Sequence, residues 1–107
     1  MGSFSTDILR PVVRGEMGVI LKGNAQGSLS VSSSAAQTPA FSKAGYYDLW
    51  SDVDTYIKIN TTANDVTTST GYLLFANTLL ANVAIQVGDK IGGITSGSGT
   101  LRYHKVS

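Results

Sequence analysis

The residues most often used in catalysis and metal binding are scarce in this sequence. His104 is the only histidine of the 107 residues, and cysteine is absent. A zinc site needs several histidine or cysteine ligands, and a catalytic triad needs a histidine beside a nucleophile and an orienting acid. Because no such partners lie near His104 in the sequence, we expect a surface histidine or one hydrogen-bonded within a strand.

Three aspartates are the next candidates for chemistry. Asp48, Asp52 and Asp54 lie two or four residues apart, so an uninterrupted strand would place them on one face. Clustered carboxylates can bind calcium, and a pair of carboxylates can hydrolyse a glycosidic bond. The glycine and glutamate of an EF-hand loop are missing, however, and the loops are too short to build a substrate cleft. We therefore expect solvated aspartates at strand ends, and we predict no catalytic residue, no cofactor and no metal site.

Aromatic side chains concentrate in the same region. Tyr46, Tyr47 and Trp50 lie close together, with Tyr56 a few residues further on. Exposed aromatic rings on a sheet can stack on sugars or on unpaired bases. The acidic neighbours argue against bases, so two interpretations remain. Either Trp50 and at least one tyrosine fill the core, which we favour, or the cluster forms a sugar-stacking surface.

The composition narrows the classes of partner. The net charge is +1, with eight basic and seven acidic residues and no run of Lys or Arg, so neither nucleic acid nor a membrane surface is expected as a partner. Charged residues make up 14% of the chain, against roughly 25% in an average soluble domain. A weakly charged surface is typical of a protein that packs against neighbours, although a Ser/Thr-rich surface explains it equally well.

Strands must position these residues, because helix signals are nearly missing. The chain has 12 glycines and many Ser, Thr, Val and Ile residues, which favour strands and turns. Residues 71–84 could form a helix, but their polar residues make two strands the better prediction. The sequence Gly97-Ser98-Gly99 is half of a phosphate-binding pattern with no helix after it, so it predicts a hairpin turn. Alternating and apolar segments predict about eight strands: residues 17–21, 28–34, 46–51, 55–60, 72–75, 79–87, 90–95 and 100–106. Between them we expect a loop at residues 35–45, a polar loop at residues 61–70 with Val66 as its apolar anchor, and a tight turn at Gly88-Asp89.

Short strands at this spacing predict an all-β fold, a small antiparallel β-sandwich or jelly-roll-like domain that spans residues 1–107. Residues 1–25 can also form an arm that contacts a neighbouring subunit, because Pro11 interrupts the apolar segment 8–13 and marks an edge strand or an extended arm. Such an arm could add a strand to a partner's sheet. The predicted partner-binding residues are Ile8, Leu9, Val12 and Val13.

Several sequence features of residues 46–106 occur together in one class of proteins. An aromatic strand ends in DVDTYIKI, and the polar loop NTTANDVTTSTG and the strand YLLFANT follow. The turn VGDKIGGI and the terminal segment GSGTLRYHKV complete the pattern. In these features the segment resembles small virion proteins of tailed bacteriophages.

This resemblance implies a β-sandwich subunit located on the phage particle. Among such subunits, capsid decoration (cement) proteins stabilise the head through protein–protein contacts across capsomer junctions, often as trimers. The expected partners are therefore the major capsid protein or other virion subunits, in a homo-oligomer at the capsid surface. A neck or tail component is an alternative location.

Two other functions are weighed against this one. A carbohydrate-binding or adhesion module would use Tyr46, Tyr47 or Trp50 as its stacking surface. A small hydrolase would use Asp52 or Asp54, which requires that both carboxylates face a cleft and that one has a raised pKa. The structural virion protein, which is not an enzyme, is the leading hypothesis.

Deletion of residues 1–14 is expected to weaken attachment to the particle while leaving the fold intact, because the predicted arm contacts a neighbour rather than the core. Incorporation of the truncated chain into particles, measured by mass spectrometry, checks this expectation. Normal incorporation would count against the arm.

Overall fold

The computed structural model describes residues 26–107, and every regular element in that part of the chain is a β-strand. The described residues contain no helix, and so none that is long and apolar enough to cross a membrane. The strands are β1 (Gln26–Ser32), β2 (Ala36–Gln37), β3 (Gly45–Ser51), β4 (Thr55–Asn60), β5 (Tyr72–Leu74), β6 (Leu80–Ile85), β7 (Lys90–Ile94) and β8 (Ser98–Lys105). The predicted all-β class is confirmed, whereas the predicted strand at residues 17–21 and the arm at residues 1–25 lie outside the described residues.

The strands form two four-stranded sheets with every neighbouring pair antiparallel. The first sheet has the order β1-β8-β3-β6, and the second has the order β2-β7-β4-β5. Contacts of β1 with β2 and β7 stack the sheets face to face, so the edge strands β5 and β6 lie on the same side of the molecule. The predicted antiparallel sandwich is confirmed.

The chain crosses from one sheet to the other between β3 and β4, at residues 52–54. Two buried hydroxyl groups fix this corner, with Ser51 Oγ and Thr55 Oγ1 separated by 2.9 Å. Thr55 Oγ1 donates its hydrogen to the Val53 carbonyl oxygen, so Ser51 is the donor of the shared bond. This pairing avoids the free-energy cost of burying unpaired polar groups at the corner.

Alternate residues of the strands meet in the space between the sheets. The first sheet contributes Tyr47 and Leu49 of β3 and Leu101 of β8, each with no exposed surface. Full burial of a side chain of this size stabilises the folded state by roughly 1.5–3 kcal/mol. The buried core cluster consists of Val31, Phe41, Tyr47, Leu49, Ile57, Leu74, Ile85, Ile91 and Leu101.

The segment before β3, predicted to be a loop, is more ordered than expected. It contains the short strand β2, and its Phe41 is a member of the core. The Phe41 ring lies 4.9 Å from the Tyr47 ring in an edge-to-face arrangement and 5.0 Å from the Tyr103 ring. A single aromatic residue between polar neighbours carries no period-two signal, so the sequence alone does not reveal this contact.

The polar loop at residues 61–70 covers the outer face of the second sheet. Its predicted anchor Val66 is buried, and so is Ala63. Ala63 packs against Gly92, and its backbone N–H donates to Gln37 Oε1 over 3.0 Å. Gly92 lies in the middle of β7, and the neighbouring Gly93 faces the core instead. The loop thus closes one outer face of the sandwich.

Three predicted strands differ most from the observed bounds. Strand β1 spans Gln26–Ser32 rather than residues 28–34. Strand β6 ends at Ile85 rather than continuing to residue 87, and the Val87 side chain is 66% exposed. The turn after it is held by the Asp89 carboxylate, which accepts the Gln86 backbone N–H. The predicted turn at residues 97–99 is also shorter than expected, because β8 already begins at Ser98 and Gly99 pairs with Val31.

Gly92→Ala is expected to lower the free energy of unfolding by about 1–3 kcal/mol, the usual cost of overpacking. A Cβ at residue 92 would overlap the Ala63 carbonyl oxygen, and the backbone of the loop would have to move. Chemical denaturation measures the change. The matched control is Gly97→Ala, where an added Cβ meets no atom within 4 Å. Equal stability of the two variants would contradict the close packing of the loop on β7.

Candidate functional site

Asp52 and Asp54 lie exposed at the corner between β3 and β4, and both bind backbone rather than face a cleft. Asp52 Oδ1 accepts the Thr100 backbone N–H over 2.8 Å, and Asp54 Oδ1 accepts the Ala76 backbone N–H over 2.8 Å. The two carboxylates therefore tie the corner to two different neighbours, β8 and the β5–β6 connection. This arrangement favours a structural role over the acid–base pair of a hydrolase.

Asp48 lies on the outer face of β3, away from the other two aspartates along the chain. Its Oδ1 accepts the Asn82 backbone N–H over 3.0 Å. Asn82 has a φ of 58° and lies at the point where the register between β3 and β6 shifts. No group of three or more His, Asp or Glu side chains that could hold a metal ion occurs within residues 26–107.

The aromatic cluster is divided between the two faces of β3. Tyr47 points into the core, and its hydroxyl donates to the Lys43 carbonyl oxygen over 2.8 Å. Burial, together with the nearby Tyr103, raises the pKa of the Tyr47 phenol. Tyr46 and Trp50 have the opposite orientation, with Tyr46 51% exposed and Trp50 partly buried outside the core cluster. The favoured interpretation, that Trp50 and at least one tyrosine fill the core, is therefore right for Tyr47 and wrong for Trp50.

Trp50 belongs to a groove on the outer face of the first sheet, which we call the outer groove. The groove encloses about 630 Å³. Its floor is formed by side chains of three neighbouring strands in two rows across the sheet. One row is Ser28, Arg102 and Trp50, and the next is Gln26, His104 and Asp48. Leu79 and Val106 also line it.

A second surface, which we call the apolar edge, lies on β5 and on the connection from β5 to β6. It consists of Tyr72, Phe75 and Leu79, whose side chains are between 56% and 59% exposed. Tyr72 is the first residue of β5, the edge strand of the second sheet, and Phe75 and Leu79 lie in the connection from β5 to β6, the edge strand of the first. Exposed apolar side chains that group together mark interaction surfaces more reliably than scattered ones.

Two hydrogen bonds hold the backbone of the apolar edge. The Ala76 N–H donates to Asp54 Oδ1, and the Asn77 N–H donates to the Ser51 carbonyl oxygen over 2.8 Å. Asn77 has a φ of 58°, a left-handed conformation that asparagine tolerates better than most residues. The Phe75 and Leu79 side chains are therefore presented on a segment fixed to the β3–β4 corner.

The predicted partner-binding residues Ile8, Leu9, Val12 and Val13 lie outside the described residues. The sugar-stacking alternative drawn from the sequence includes Trp50, but it includes none of the other residues of the outer groove and no part of the apolar edge. The residues of the outer groove had a usable signal, because alternation in β3 and β8 places Trp50 and Arg102 opposite the core residues. The apolar edge had none, since the run YLLFANTLL is apolar on both sides of Asn77 and Thr78 and shows no alternation that indicates which side chains face outward.

Tyr47→Phe is expected to destabilise the fold by about 1 kcal/mol at neutral pH, because the hydrogen bond to Lys43 is lost. The raised pKa of Tyr47 favours its neutral form in the folded state, so its contribution is complete below the unfolded pKa near 10 and declines above it. Denaturation of both proteins from pH 8 to 11 measures this. The difference between them should shrink as the pH passes 10, and a constant difference would contradict the assignment.

Comparison with known proteins returned no match: no protein-family model, no curated protein and no solved structure is significantly similar to the chain.

Proposed function

We propose that this protein is a structural subunit of a tailed-bacteriophage particle, a decoration protein that stabilises the capsid through protein–protein contacts. Its partner is the major capsid protein, on which it sits as a homo-oligomer. The resemblance of residues 46–106 to small virion proteins supports this function. Among the structural observations, the apolar edge carries most of the argument.

The apolar edge has the chemistry of a contact between subunits. Its aromatic and aliphatic side chains release ordered water when a partner covers them, and each fully buried side chain of this size contributes roughly 1.5–3 kcal/mol. Aromatic residues are enriched at the centres of protein interfaces for the same reason. The charged fraction of 14% for the whole chain fits a surface that is largely covered in use.

Rigid presentation of these side chains strengthens the argument. The bonds of Ala76 to Asp54 and of Asn77 to Ser51 fix the segment between Phe75 and Leu79 before any partner binds. A pre-ordered segment loses little conformational entropy on binding, so more of the burial energy appears as affinity. Specific attachment needs a total buried area of about 1,000 Å² or more, so the three side chains are the centre of a larger contact.

Unpaired strand edges add a second mode of contact. Within residues 26–107, β5 pairs with β4 alone and β6 pairs with β3 alone. Edge strands present free N–H and C=O groups that can pair with a neighbouring chain. Because the apolar edge lies beside both of them, side-chain burial and backbone pairing can act on one partner together.

Phe75→Ser is expected to lower the affinity for capsids at least tenfold, because it removes an apolar side chain from the centre of the contact. The measurement is co-sedimentation of the full chain with shells assembled from the major capsid protein of the same genome and lacking this chain. The unaltered protein should bind saturably with a fixed number of copies per capsid subunit. Absence of binding by the unaltered protein would refute the proposal.

The matched control is Val87→Ser. Val87 is 66% exposed and lies after the C-terminal end of β6, whereas Leu79 precedes the N-terminal end of that strand. The two residues are therefore at opposite ends of β6. This variant should bind capsids like the unaltered protein, and both variants should unfold at the same temperature as it does. An equal loss of binding in both variants would show that the apolar edge is not the contact.

The location on the particle is tested by electron microscopy of phage particles labelled with gold-conjugated antibodies against this protein. Label over the whole head supports capsid decoration, whereas label confined to the neck or tail overturns that location.

A further inference from the structure

We propose that the outer groove is a saccharide-binding site, with the Trp50 indole as the surface on which a pyranose ring stacks. The site lies on the outer face of β1, β8 and β3. It binds a saccharide by stacking and hydrogen bonding, whereas the apolar edge contacts another subunit through apolar side chains. It does not depend on the proposed capsid function, because it is argued from the side chains of this groove alone.

Strand register brings the side chains of the groove within reach of one small ligand. Trp50 pairs with Arg102 across β3 and β8, and Arg102 pairs with Ser28 across β8 and β1. Directly opposed side chains have Cβ atoms about 4.5–5.5 Å apart. The second row, two residues along each strand, follows at roughly 7 Å. The two rows together cover an area comparable to one or two sugar rings.

The side chains of the two rows complement a polyhydroxyl compound. A sugar hydroxyl both donates and accepts hydrogen bonds, so it needs donors and acceptors close together. Arg102 supplies donors, Asp48 supplies acceptors, and Gln26 and Ser28 supply both. Arg102 is exposed and makes no ion pair within residues 26–107, so its guanidinium can reach a ligand. Only Oδ1 of Asp48 accepts the Asn82 N–H.

Trp50 supplies the apolar component that a sugar also requires. The indole has a broad ring face and one N–H donor, which suits a ligand with apolar C–H faces and polar edges. Leu79 adds an apolar border to the groove. A purely aliphatic ligand would leave Asp48 and Arg102 without partners, which costs free energy. A polyanion such as nucleic acid would meet the Asp48 carboxylate.

The shape of the groove is consistent with part of a glycan chain. Its volume of about 630 Å³ lies within the range of roughly 300–1,000 Å³ typical of small-molecule sites. The groove is open on the face of the sheet, unlike the outer face of the second sheet, which the loop at residues 61–70 covers. An open groove accepts an internal or terminal stretch of a longer oligosaccharide.

The chain contains a single tryptophan, so its fluorescence reports on this site alone. The full chain is first applied to a microarray of neutral and acidic pyranose oligosaccharides. The soluble oligosaccharide that binds best is then titrated against the unaltered protein. We expect a saturable change in Trp50 emission, and Arg102→Ala should weaken the binding at least tenfold. A protein that binds no oligosaccharide on the array overturns the proposal.

Two aromatic variants test whether binding depends on the groove or on another part of the same sheet face. Binding to the oligosaccharide array is measured for both. Trp50→Ala should abolish binding, whereas Tyr46→Ala should leave it unchanged. Tyr46 is an exposed aromatic residue on the same strand and the same face, but it does not line the groove. Thermal unfolding verifies that each variant is folded. Binding that survives Trp50→Ala, or that is lost equally in Tyr46→Ala, rules out stacking on Trp50.

Discussion

Alternation along β3, enforced by core burial, is the constraint on which the rest of the structure depends. Tyr47 and Leu49 have no exposed surface, so the side chains between and beyond them must point outward. A slip of one residue would expose Tyr47 and Leu49 and would bury Asp48 with no partner in the core. The free-energy cost of both changes fixes the register of β3 against β8. The outer groove is a direct consequence, because the same register aligns Trp50 with Arg102.

The acidic residues show how a chain with few charged groups uses them. Asp48 within β3 and Asp52 and Asp54 at the β3–β4 corner each accept one backbone N–H from a different part of the chain. A carboxylate is a stronger acceptor than a neutral oxygen, so each bond ties a neighbouring segment to β3 or to the corner that follows it. One of these segments carries Phe75 and Leu79. Asp54, one of the candidate catalytic residues, therefore helps to position the apolar edge instead.

The two sheets differ in what covers their outer faces. Residues 61–70 close the second sheet, with Ala63 seated against Gly92 because that position has no side chain. On the first sheet, the outer groove carries one aromatic ring among polar groups, and the apolar edge adjoins it through Leu79. Leu79 thus links a surface suited to another subunit with a surface suited to a soluble ligand.

The sequence by itself determined the strands and the inward or outward orientation of most of their residues. Strand β4 has the predicted bounds, and the inward positions of Ile57, Leu101 and Tyr103 follow from period-two alternation. Local rules of this kind need no knowledge of distant residues. They also predicted a turn after residue 87 and a buried anchor at Val66.

Only the tertiary structure decided which strands are neighbours, and this in turn decided the surfaces. Arg102 lies 52 positions after Trp50 in the chain, yet pairing of β8 with β3 puts the two side by side. Phe41 enters the core through contacts with Tyr47 and Tyr103, which no local pattern encodes. Asp54 binds Ala76 because the pairing of β4 with β5 sets Thr55 opposite Leu74 and brings the residues next to them together. Long-range pairing depends on the packing of the whole sandwich, and a local pattern specifies only the shape of each strand.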